Sequence, residues 1–325
     1  MIKIKIYKKI LFILLFIVCI ISSTITLKAD SSTYVIVGGD AIGLDLNTGV
    51  FVTGKFDTGS SNNIKKGDNL IKVDEVVIRN VNDLKNAISK KELGSKAVIE
   101  FIRNGLTMKT SVTITEKDGK NSLGLYVKDN VLGVGTLTYV IPETLAFGSL
   151  GHSACSDAVE INGGRILKCY ISGINKGIRG IPGEKQALLD TTEMGKVNFN
   201  NDFGIFGKMN DFEYDQSDLI KVCKNDQVKL GKAKMLTVIN GYSVEEFDIE
   251  IIELKRQSPN EQKGIKFKVT DEDLIKKTGG IIQGMSGSPI IQNNELVGAV
   301  SHVIIDEPTT GYGVYAEWMI NYSIN

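Results

Sequence analysis

Apolar and polar residues alternate along much of the chain from residue 34 onward, which predicts short β-strands separated by glycine turns. The first strands are predicted over 34–37, 49–52 and 69–73, and 41–46 is predicted to be a glycine-containing turn that enters a strand. Helical spacing appears at residues 81, 84, 87 and 88, which are apolar and follow Asn80, a residue type that caps helix N-termini. An Asn104-Gly105 pair between apolar runs predicts a β-hairpin.

From residue 122 to the C-terminus the chain continues with strands and glycine turns and little helical periodicity; 247–254 and 264–269 are examples. About 200 residues with this pattern suffice for a two-barrel β fold. The charged, glycine-containing stretch 117–121 is interpreted as a linker. The pattern therefore predicts a mainly β protein with a small domain at 33–116 and a larger one at 120–325.

The N-terminus has a different pattern. Lysines at positions 3, 5, 8 and 9 precede 18 largely apolar, uncharged residues, 10–27. Such a basic start is typical of an export signal whose positive end stays in the cytoplasm. The run is just long enough to span a bilayer, and Leu27-Lys28-Ala29 is a poor cleavage site. We therefore expect residues 1–29 to be an uncleaved membrane anchor, with a cleaved signal peptide as the alternative, and the rest of the chain to be exported.

Composition and charge argue against several classes of protein. Lysine plus arginine and aspartate plus glutamate each total 38, and this zero net charge argues against a nucleic-acid-binding protein. Four cysteines are too few for a disulfide framework, and no CxxC or HxxxH pattern occurs. His152 and Cys155 have the spacing of a metal-ligand pair, but the chain has only one other histidine, so we expect no metal and no organic cofactor.

The segment Gly284-Met285-Ser286-Gly287-Ser288-Pro289 carries the strongest chemical signal. Glycines on both sides let the backbone turn sharply around Ser286 and bring N–H groups toward one point. The hexapeptide resembles the nucleophile turn of a chymotrypsin-like serine peptidase, in which the N–H groups matching Gly284 and Ser286 bind the oxyanion. Ser288 is the alternative hydroxyl, and similar turns also have purely structural roles in all-β proteins.

A serine nucleophile needs a base with a pKa near neutrality, and the chain contains two histidines. His152 lies in a glycine-flanked turn and precedes the serine, which is the chain order of the chymotrypsin class. We therefore expect His152 to be the base. His302 lies on a predicted strand that lines the substrate pocket in chymotrypsin-like folds, so we expect a pocket or structural residue, able to hydrogen-bond a polar or acidic side chain of the substrate.

The small domain resembles a PDZ domain in its order of elements, in Lys66-Gly67-Asp68 and in the helix from Val81. PDZ domains bind a peptide carboxylate with the N–H groups of a hydrophobic-glycine-hydrophobic loop. The resemblance places this loop at Ile42, Gly43 and Leu44. A peptide would then add as a further strand beside the helix. The alternative is a PDZ fold that only spaces or occludes the peptidase.

Several stretches of the larger domain together resemble the SpoIVB (stage IV sporulation protein B) peptidases of endospore-forming bacteria. They are 133–139, 147–152, 278–292, 298–303 and 311–319. The resemblance implies a membrane-anchored serine endopeptidase with a PDZ domain and a chymotrypsin-like double β-barrel. Such peptidases act between the two membranes around the developing spore. They cleave themselves and a membrane-associated regulatory protein, and so activate a late sigma factor.

The same resemblance implies the site residues: Ser286 as the nucleophile, His152 as the base and Asp271, 15 residues before the serine, as the acid. Asp157 and Asp306 are alternative acids, and Asp271 could instead cap a short helix. Two other functions stay open, a catalytically silent PDZ scaffold and a general envelope quality-control protease. The intact site residues argue against the first, and the position of the PDZ domain before the peptidase argues against the second.

Overall fold

The structure is a computed structural model that describes residues 32–56, 63–154, 161, 163–255 and 261–324. The predicted anchor at 1–29, Cys155 and Asp157 lie outside the described residues. All elements named below belong to one compact unit, Tyr34–Asn325. None of the described helices has the length and apolarity needed to span a bilayer.

The described chain is mainly β, as the alternation predicts. Its strands are β1 (Tyr34–Val37), β2 (Ala41–Lys55), β3 (Asn69–Val73), β4 (Val76–Val77), β5 (Lys96–Arg103), β6 (Leu106–Thr113), β7 (Thr115–Lys117), β8 (Lys120–Ser122), β9 (Leu125–Ile141), β10 (Ala146–Leu150), β11 (Gly164–Asn175), β12 (Glu184–Asn201), β13 (Gly204–Met209), β14 (Leu219–Val222), β15 (Gly231–Val238), β16 (Val244–Leu254), β17 (Ile265–Val269), β18 (Pro289–Gln292), β19 (Glu295–Ile304) and β20 (Glu307–Tyr315). Its helices are α1 (Val81–Ser89), α2 (Glu272–Thr278) and α3 (Ala316–Ile324), with short 3-10 turns at Gln216–Asp218 and Asn225–Gln227.

Two closed rings of antiparallel strands form the larger part of the fold. The first ring runs β2–β9–β10–β13–β12–β11 and closes where β11 pairs with β2. The second ring runs β15–β16–β17–β20–β19–β18 and closes where β18 pairs with β15. Each ring encloses its own apolar core. The predicted double β-barrel is therefore confirmed.

The alternation in the sequence sets which side chains enter these cores. Along β16, Phe247, Ile249 and Ile251 are buried, whereas Asp248 and Glu250 are exposed. Each fully buried side chain of this kind contributes about 1.5–3 kcal/mol. A shift in strand register by one residue would move the whole apolar set into solvent, so the register is strongly determined.

Strands β1 and β14 connect the two rings. β1 pairs with β9 of the first ring and with β14, and β14 pairs in parallel with β19 of the second ring. Side chains from both sides share one core, which contains Tyr139, Phe206, Leu296 and Met319. The hydrogen-bonded network is thus continuous from one barrel to the other, and the two barrels lie side by side.

The PDZ part comprises the second half of β2, strands β3–β8, helix α1 and the beginning of β9, around a separate apolar core. Helix α1 begins after Asn80, whose side chain accepts a hydrogen bond from the Asp83 N–H at 2.9 Å. Asn104 and Gly105 have φ values of 51° and 75° in the β5–β6 turn. Both local predictions, the capped helix and the hairpin, are confirmed.

The predicted domain boundary at residue 33 is wrong. Ile42, Gly43 and Leu44 lie within β2, paired with β9 on one edge and with β11 on the other, and Ile42 is fully buried. A segment whose backbone groups are paired on both edges cannot receive a peptide carboxylate, so the predicted peptide-binding role of these three residues is also wrong. Because strands of either domain alternate with the same period of two, the sequence did not separate them. The PDZ part is an insertion into the first barrel, between the first half of β2 and the second half of β9.

Candidate active site

Ser286 lies in the turn between α2 and β18, where the two barrels meet. Its carbonyl accepts a hydrogen bond from the Thr136 N–H of β9 at 2.9 Å, and the Gly287 N–H donates to the Val300 carbonyl of β19 at 2.8 Å. Gly287 has a φ of 91°, and a Cβ there would lie 2.1 Å from the Thr136 carbonyl oxygen. Only glycine fits this position. Backbone hydrogen bonds therefore hold the turn to both barrels.

His152 follows β10 on the first barrel and reaches the serine. Its Nε2 lies 2.8 Å from Ser286 Oγ, and its Nδ1 lies 2.7 Å from the carbonyl oxygen of Ser153. Because a carbonyl oxygen only accepts hydrogen bonds, Nδ1 carries the proton and Nε2 accepts from the serine hydroxyl. This tautomer is the one in which histidine can act as a general base toward the serine. The structure thus brings the predicted nucleophile and base together.

The surroundings of His152 keep it uncharged. Burial lowers the pKa of His152 below its usual value, and the hydrogen bond to the Ser153 carbonyl partly opposes this shift. A neutral imidazole can take the proton of the serine hydroxyl at neutral pH. The electrostatics of the ring therefore suit the role that its position indicates.

Asp271 lies at the N-terminus of α2 and caps it. Its Oδ1 accepts a hydrogen bond from the Leu274 N–H at 2.8 Å, and its Oδ2 accepts from the Asp248 N–H at 3.4 Å. Among the described residues, no carboxylate is hydrogen-bonded to His152, because the Ser153 carbonyl occupies the position at Nδ1 that an acid would take. The geometry therefore agrees with the capping role of Asp271 and does not show it as the acid. The alternative Asp306 is exposed in the β19–β20 turn.

Replacing Asp271 by alanine is expected to lower the free energy of unfolding by about 1 kcal/mol, because the helix loses its N-cap. Asparagine is an equally good cap, so Asp271→Asn should unfold at the same denaturant concentration as the wild type. This second variant removes only the charge, and the capping role predicts a change in kcat of no more than a few-fold. A loss of about 10⁴-fold in the folded Asp271→Asn variant would instead restore Asp271 as the acid.

The N–H groups of Gly284 and Ser286 are available to a substrate. Neither donates a hydrogen bond to any other described residue. The carbonyl before Gly284, that of Gln283, accepts from the Lys185 N–H at 3.0 Å. Since the C=O and N–H of a trans peptide point in opposite directions, the Gly284 N–H points away from the Lys185 backbone. These two free donors fit the predicted oxyanion-binding role.

His302 lies on β19 and lines a cavity of about 260 Å³ that also includes Ser286. The other lining residues are mainly apolar: Pro182, Ile281, Ile282, Val300, Val303 and Ile305. The ring centroids of His302 and His152 are 5.3 Å apart. Burial, helped by His152 and Lys263, lowers the pKa of His302 to about 4, so this ring is uncharged at neutral pH. Its Nδ1 is buried and has no hydrogen-bond partner among the described residues.

A second cavity, of about 480 Å³, lies in the PDZ part between α1 and the start of β9. One wall consists of Val81, Leu84 and Ile88, and the other includes Leu123, Leu125 and Val127. Residues 125–128 of β9 pair with β2 on one edge, and no described strand pairs with their other edge. We call this cavity the α1–β9 groove.

Leu123-Gly124-Leu125, which is not among the predicted site residues, is a hydrophobic-glycine-hydrophobic sequence at one end of the α1–β9 groove. Gly124 has a φ of 74°. The side-chain amide of Asn121 donates hydrogen bonds to the Ile88 and Lys91 carbonyls at 2.9 and 2.7 Å. These bonds hold the residues before the tripeptide against the C-terminal end of α1. The stretch 117–121, interpreted as a linker, is part of the β7–β8 hairpin that leads into this tripeptide. The tripeptide was visible in the sequence, but the open strand edge after it was not.

Comparison with protein families matches residues 119–320 to the SpoIVB peptidase S55 family and residues 49–114 to a PDZ domain. Comparison with curated proteins gave no match. Among solved structures, the PDZ domain of the SdrC-like protein (Lmo2051) from Listeria monocytogenes is 17% identical, with 25% of this chain and 87% of that chain covered and a TM-score of 0.23. The active form of the Rv3671c protease from M. tuberculosis is 16% identical, with 60% and 73% covered and a TM-score of 0.36. Its inactive form is 16% identical, with 59% and 83% covered and a TM-score of 0.32.

The start of the PDZ match agrees with the strand pairing. The PDZ match begins at residue 49, after the part of β2 that belongs to the first barrel. The peptidase match covers more than half of the chain and contains both Ser286 and His152. This chain therefore belongs to the SpoIVB peptidase S55 family and is a serine peptidase that carries a PDZ domain.

Proposed function

We propose that this protein is a membrane-anchored, self-cleaving serine endopeptidase of spore formation. The observation that carries the proposal is the 2.8 Å contact between Ser286 Oγ and His152 Nε2 in a member of this peptidase family. Ser286 attacks the scissile carbonyl while His152 takes its proton and then returns it to the leaving amine. Water then attacks the resulting acyl-enzyme. His152 takes the proton of the water and returns it to Ser286 Oγ as the second product leaves.

Two charges develop during the attack, a negative one on the oxyanion and a positive one on the imidazolium, and each has a partner in the site. The N–H groups of Gly284 and Ser286 receive the oxyanion, and losing one such donor typically costs about 10²–10³-fold in rate. The imidazolium keeps its Nδ1–H on the Ser153 carbonyl, 2.7 Å away. A carbonyl dipole stabilises this cation less than a carboxylate would. The reaction therefore depends strongly on the oxyanion-binding N–H groups.

We infer the biological substrates from the family. They are the protein itself and a membrane-associated regulatory protein, whose cleavage activates a late sigma factor. The basic, apolar N-terminus supports an exported protein held at the membrane. We infer its compartment, the space between forespore and mother cell, from the family. The contact between Ser286 and His152 argues against a catalytically silent PDZ scaffold. Expression confined to sporulation would support this role over general envelope quality control, and steady vegetative expression would contradict it.

The fold limits where self-cleavage between the anchor and the rest of the chain can occur. β1 begins at Tyr34 and pairs with both β9 and β14. A cut within β1 would remove backbone hydrogen bonds that connect the barrels. The cut is therefore expected at or before residue 33.

The test compares the full chain with its Ser286→Ala variant, each with a C-terminal tag in a bacterial host. We expect the wild type to yield discrete shorter species whose new N-termini lie at or before residue 33, and the variant to remain at full length. N-terminal sequencing of the tagged bands locates the cut. The same short species in both proteins would mean that a host peptidase makes them, and no short species in either would contradict self-cleavage.

We further propose that the α1–β9 groove recruits a peptide by its C-terminal carboxylate. The open edge of β9 supports addition of a strand, and Leu123-Gly124-Leu125 has the sequence of a carboxylate-binding loop. The Gly124 N–H donates to the Ser122 hydroxyl at 3.0 Å, a local side-chain contact that a carboxylate would have to replace. Lys117 supplies positive charge at the groove, with its Nζ 4.1 Å from the ring centroid of Phe56 and 4.7 Å from that of Tyr126.

A labelled peptide with an apolar C-terminal residue is the probe for this groove, measured by fluorescence anisotropy against the Ser286→Ala protein. Amidation of the peptide carboxylate and the Lys117→Glu substitution are each expected to raise Kd at least about tenfold, or about 1.4 kcal/mol. Lys66→Glu, in an exposed turn of the same domain, is the matched control and should leave Kd unchanged. Equal binding of the acid and the amide would contradict carboxylate recognition.

A further inference from the structure

Lys185 is a buried lysine directly behind the serine turn. It lies on β12, and only 6% of its surface is exposed. Its Nζ lies 2.8 Å from the hydroxyl of Thr237 on β15 and 3.4 Å from the hydroxyl of Thr136 on β9. Among the described residues, the one titratable group that influences it is the thiol of Cys169, and no carboxylate accompanies it. The lysine thus joins the two barrels through hydroxyl groups rather than through an ion pair.

Three contacts connect Lys185 to the residues just before the nucleophile. Its backbone N–H donates to the Gln283 carbonyl at 3.0 Å. Its aliphatic chain packs against Gly284, where an added Cβ would lie 3.0 Å from Lys185 Cδ. Its ammonium faces the Thr136 hydroxyl, which itself donates to the Gly284 carbonyl at 2.7 Å.

These contacts have a fixed direction. The single hydroxyl proton of Thr136 is used on the Gly284 carbonyl, so the hydroxyl oxygen can only accept from Lys185. The result is a chain of donors that runs from Lys185 through Thr136 to Gly284, and each bond in such a chain polarises the next. This chain of donors holds the 284–285 peptide plane through the Gly284 carbonyl, whereas the 283–284 plane, which carries the Gly284 N–H, is held by the Lys185 backbone N–H through the Gln283 carbonyl.

A buried ammonium without a carboxylate is costly for folding. Burial accordingly lowers the pKa of Lys185 to about 7. A methionine would fill the same volume without this cost. A residue that conflicts with its apolar surroundings and touches a catalytic turn points to a functional requirement.

We propose that Lys185 is a positioning residue for the oxyanion site: its backbone N–H holds the peptide that carries the Gly284 N–H, and its ammonium, through Thr136, fixes the next peptide and so the turn at Gly284. The inference rests on the proposed roles of Ser286 and Gly284. In this role Lys185 helps to stabilise the transition state and does not contribute to binding of the substrate in its ground state. The inference also makes a prediction that a purely structural lysine would not satisfy, namely that a variant can be more stable and yet slower.

The test uses isosteric variants of the full chain. Lys185→Met keeps the straight chain under Gly284 and removes the ammonium, and Thr136→Val keeps the shape and removes the hydroxyl. Thr136→Ser, which retains the hydroxyl, is the matched control. Assays measure kcat and KM on a peptide substrate, inhibition by a peptide aldehyde whose oxygen occupies the oxyanion site, and Tm.

We expect Lys185→Met and Thr136→Val to lower kcat by about 10–100-fold, below the full loss of one oxyanion donor, with KM within about threefold. Affinity for the aldehyde should fall by the same factor as kcat/KM, and Thr136→Ser should retain kcat within a few-fold. The Tm of Lys185→Met should equal or exceed that of the wild type. Wild-type kcat in Lys185→Met, or a rise in KM together with a lower Tm, would overturn the proposal.

Amide hydrogen exchange of the peptide covering 279–292 gives a second readout that does not require turnover. We expect faster exchange in Lys185→Met and Thr136→Val, and wild-type exchange in Thr136→Ser. Faster exchange combined with an inactive wild type would contradict the proposed function but support the positioning role. Unchanged exchange and unchanged kcat in an active enzyme would contradict the positioning role alone.

Discussion

Replacing Ser286 by alanine is expected to lower kcat for peptide hydrolysis by about 10⁶-fold, the loss typical of removing a serine nucleophile. The Oγ atom contacts His152 Nε2, whereas the backbone of the turn is held by Thr136 and Val300. The substitution therefore removes the nucleophile without removing the bonds that hold the turn. Steady-state kinetics on a purified peptide substrate measure the effect, and a thermal melt checks that the fold is intact.

Ser288→Ala is the matched control, because this residue has the same side chain two positions further along. Ser288 is fully buried, and its Oγ lies 3.5 Å from the Thr136 hydroxyl rather than near His152. We expect its loss to cost less than about tenfold in kcat. The reverse result, an active Ser286→Ala and an inactive Ser288→Ala, would transfer the nucleophile to Ser288.

Replacing His152 by alanine is expected to cost about as much as replacing Ser286, and the double variant should be no slower than either single one. Residues that act as a unit in one step give such non-additive losses. In the wild type, kcat/KM should fall as the pH drops through the pKa of His152, because the protonated ring cannot accept the serine proton. Since burial lowers this pKa, the acid limb should lie below the ordinary histidine value of about 6.5.

His302→Ala separates the two histidines. His302 lines the apolar cavity beside Ser286 and makes no hydrogen bond to the serine. We expect the variant to hydrolyse peptides still, but to change which side chain is preferred before the scissile bond. Loss of hydrolysis on every member of a peptide library would instead make His302 a catalytic base.

The parts of the fold that the sequence predicted are those that depend on local patterns. Helix α1 and its Asn80 cap, the Asn104-Gly105 turn and the strand pattern of both barrels follow from side-chain periodicity and turn chemistry. The pairing of Ser286 with His152 followed from residue types and chain order, although 134 positions separate the two residues.

The parts that were missed depend on which distant strands pair. Ile42-Gly43-Leu44 and Leu123-Gly124-Leu125 have similar sequences, but the first is enclosed between β9 and β11 and the second precedes an open strand edge. Lys185 stands at a buried position that an alternating pattern assigns to an apolar residue, so its place behind Gly284 had no signal in the sequence. The capping role of Asp271 depends on local sequence, whereas its distance from His152 depends on the tertiary fold.

Strand β9 is shared by the α1–β9 groove and the peptidase, since it begins at Leu125 in the groove and its Thr136 supports the serine turn. At about 3.3 Å per residue, this part of the strand spans at most about 36 Å. A substrate anchored by its C-terminus in the groove would need on the order of ten extended residues to reach Ser286. The enzyme would then select the scissile bond by its distance from the C-terminus of the substrate as well as by the substrate side chains around that bond.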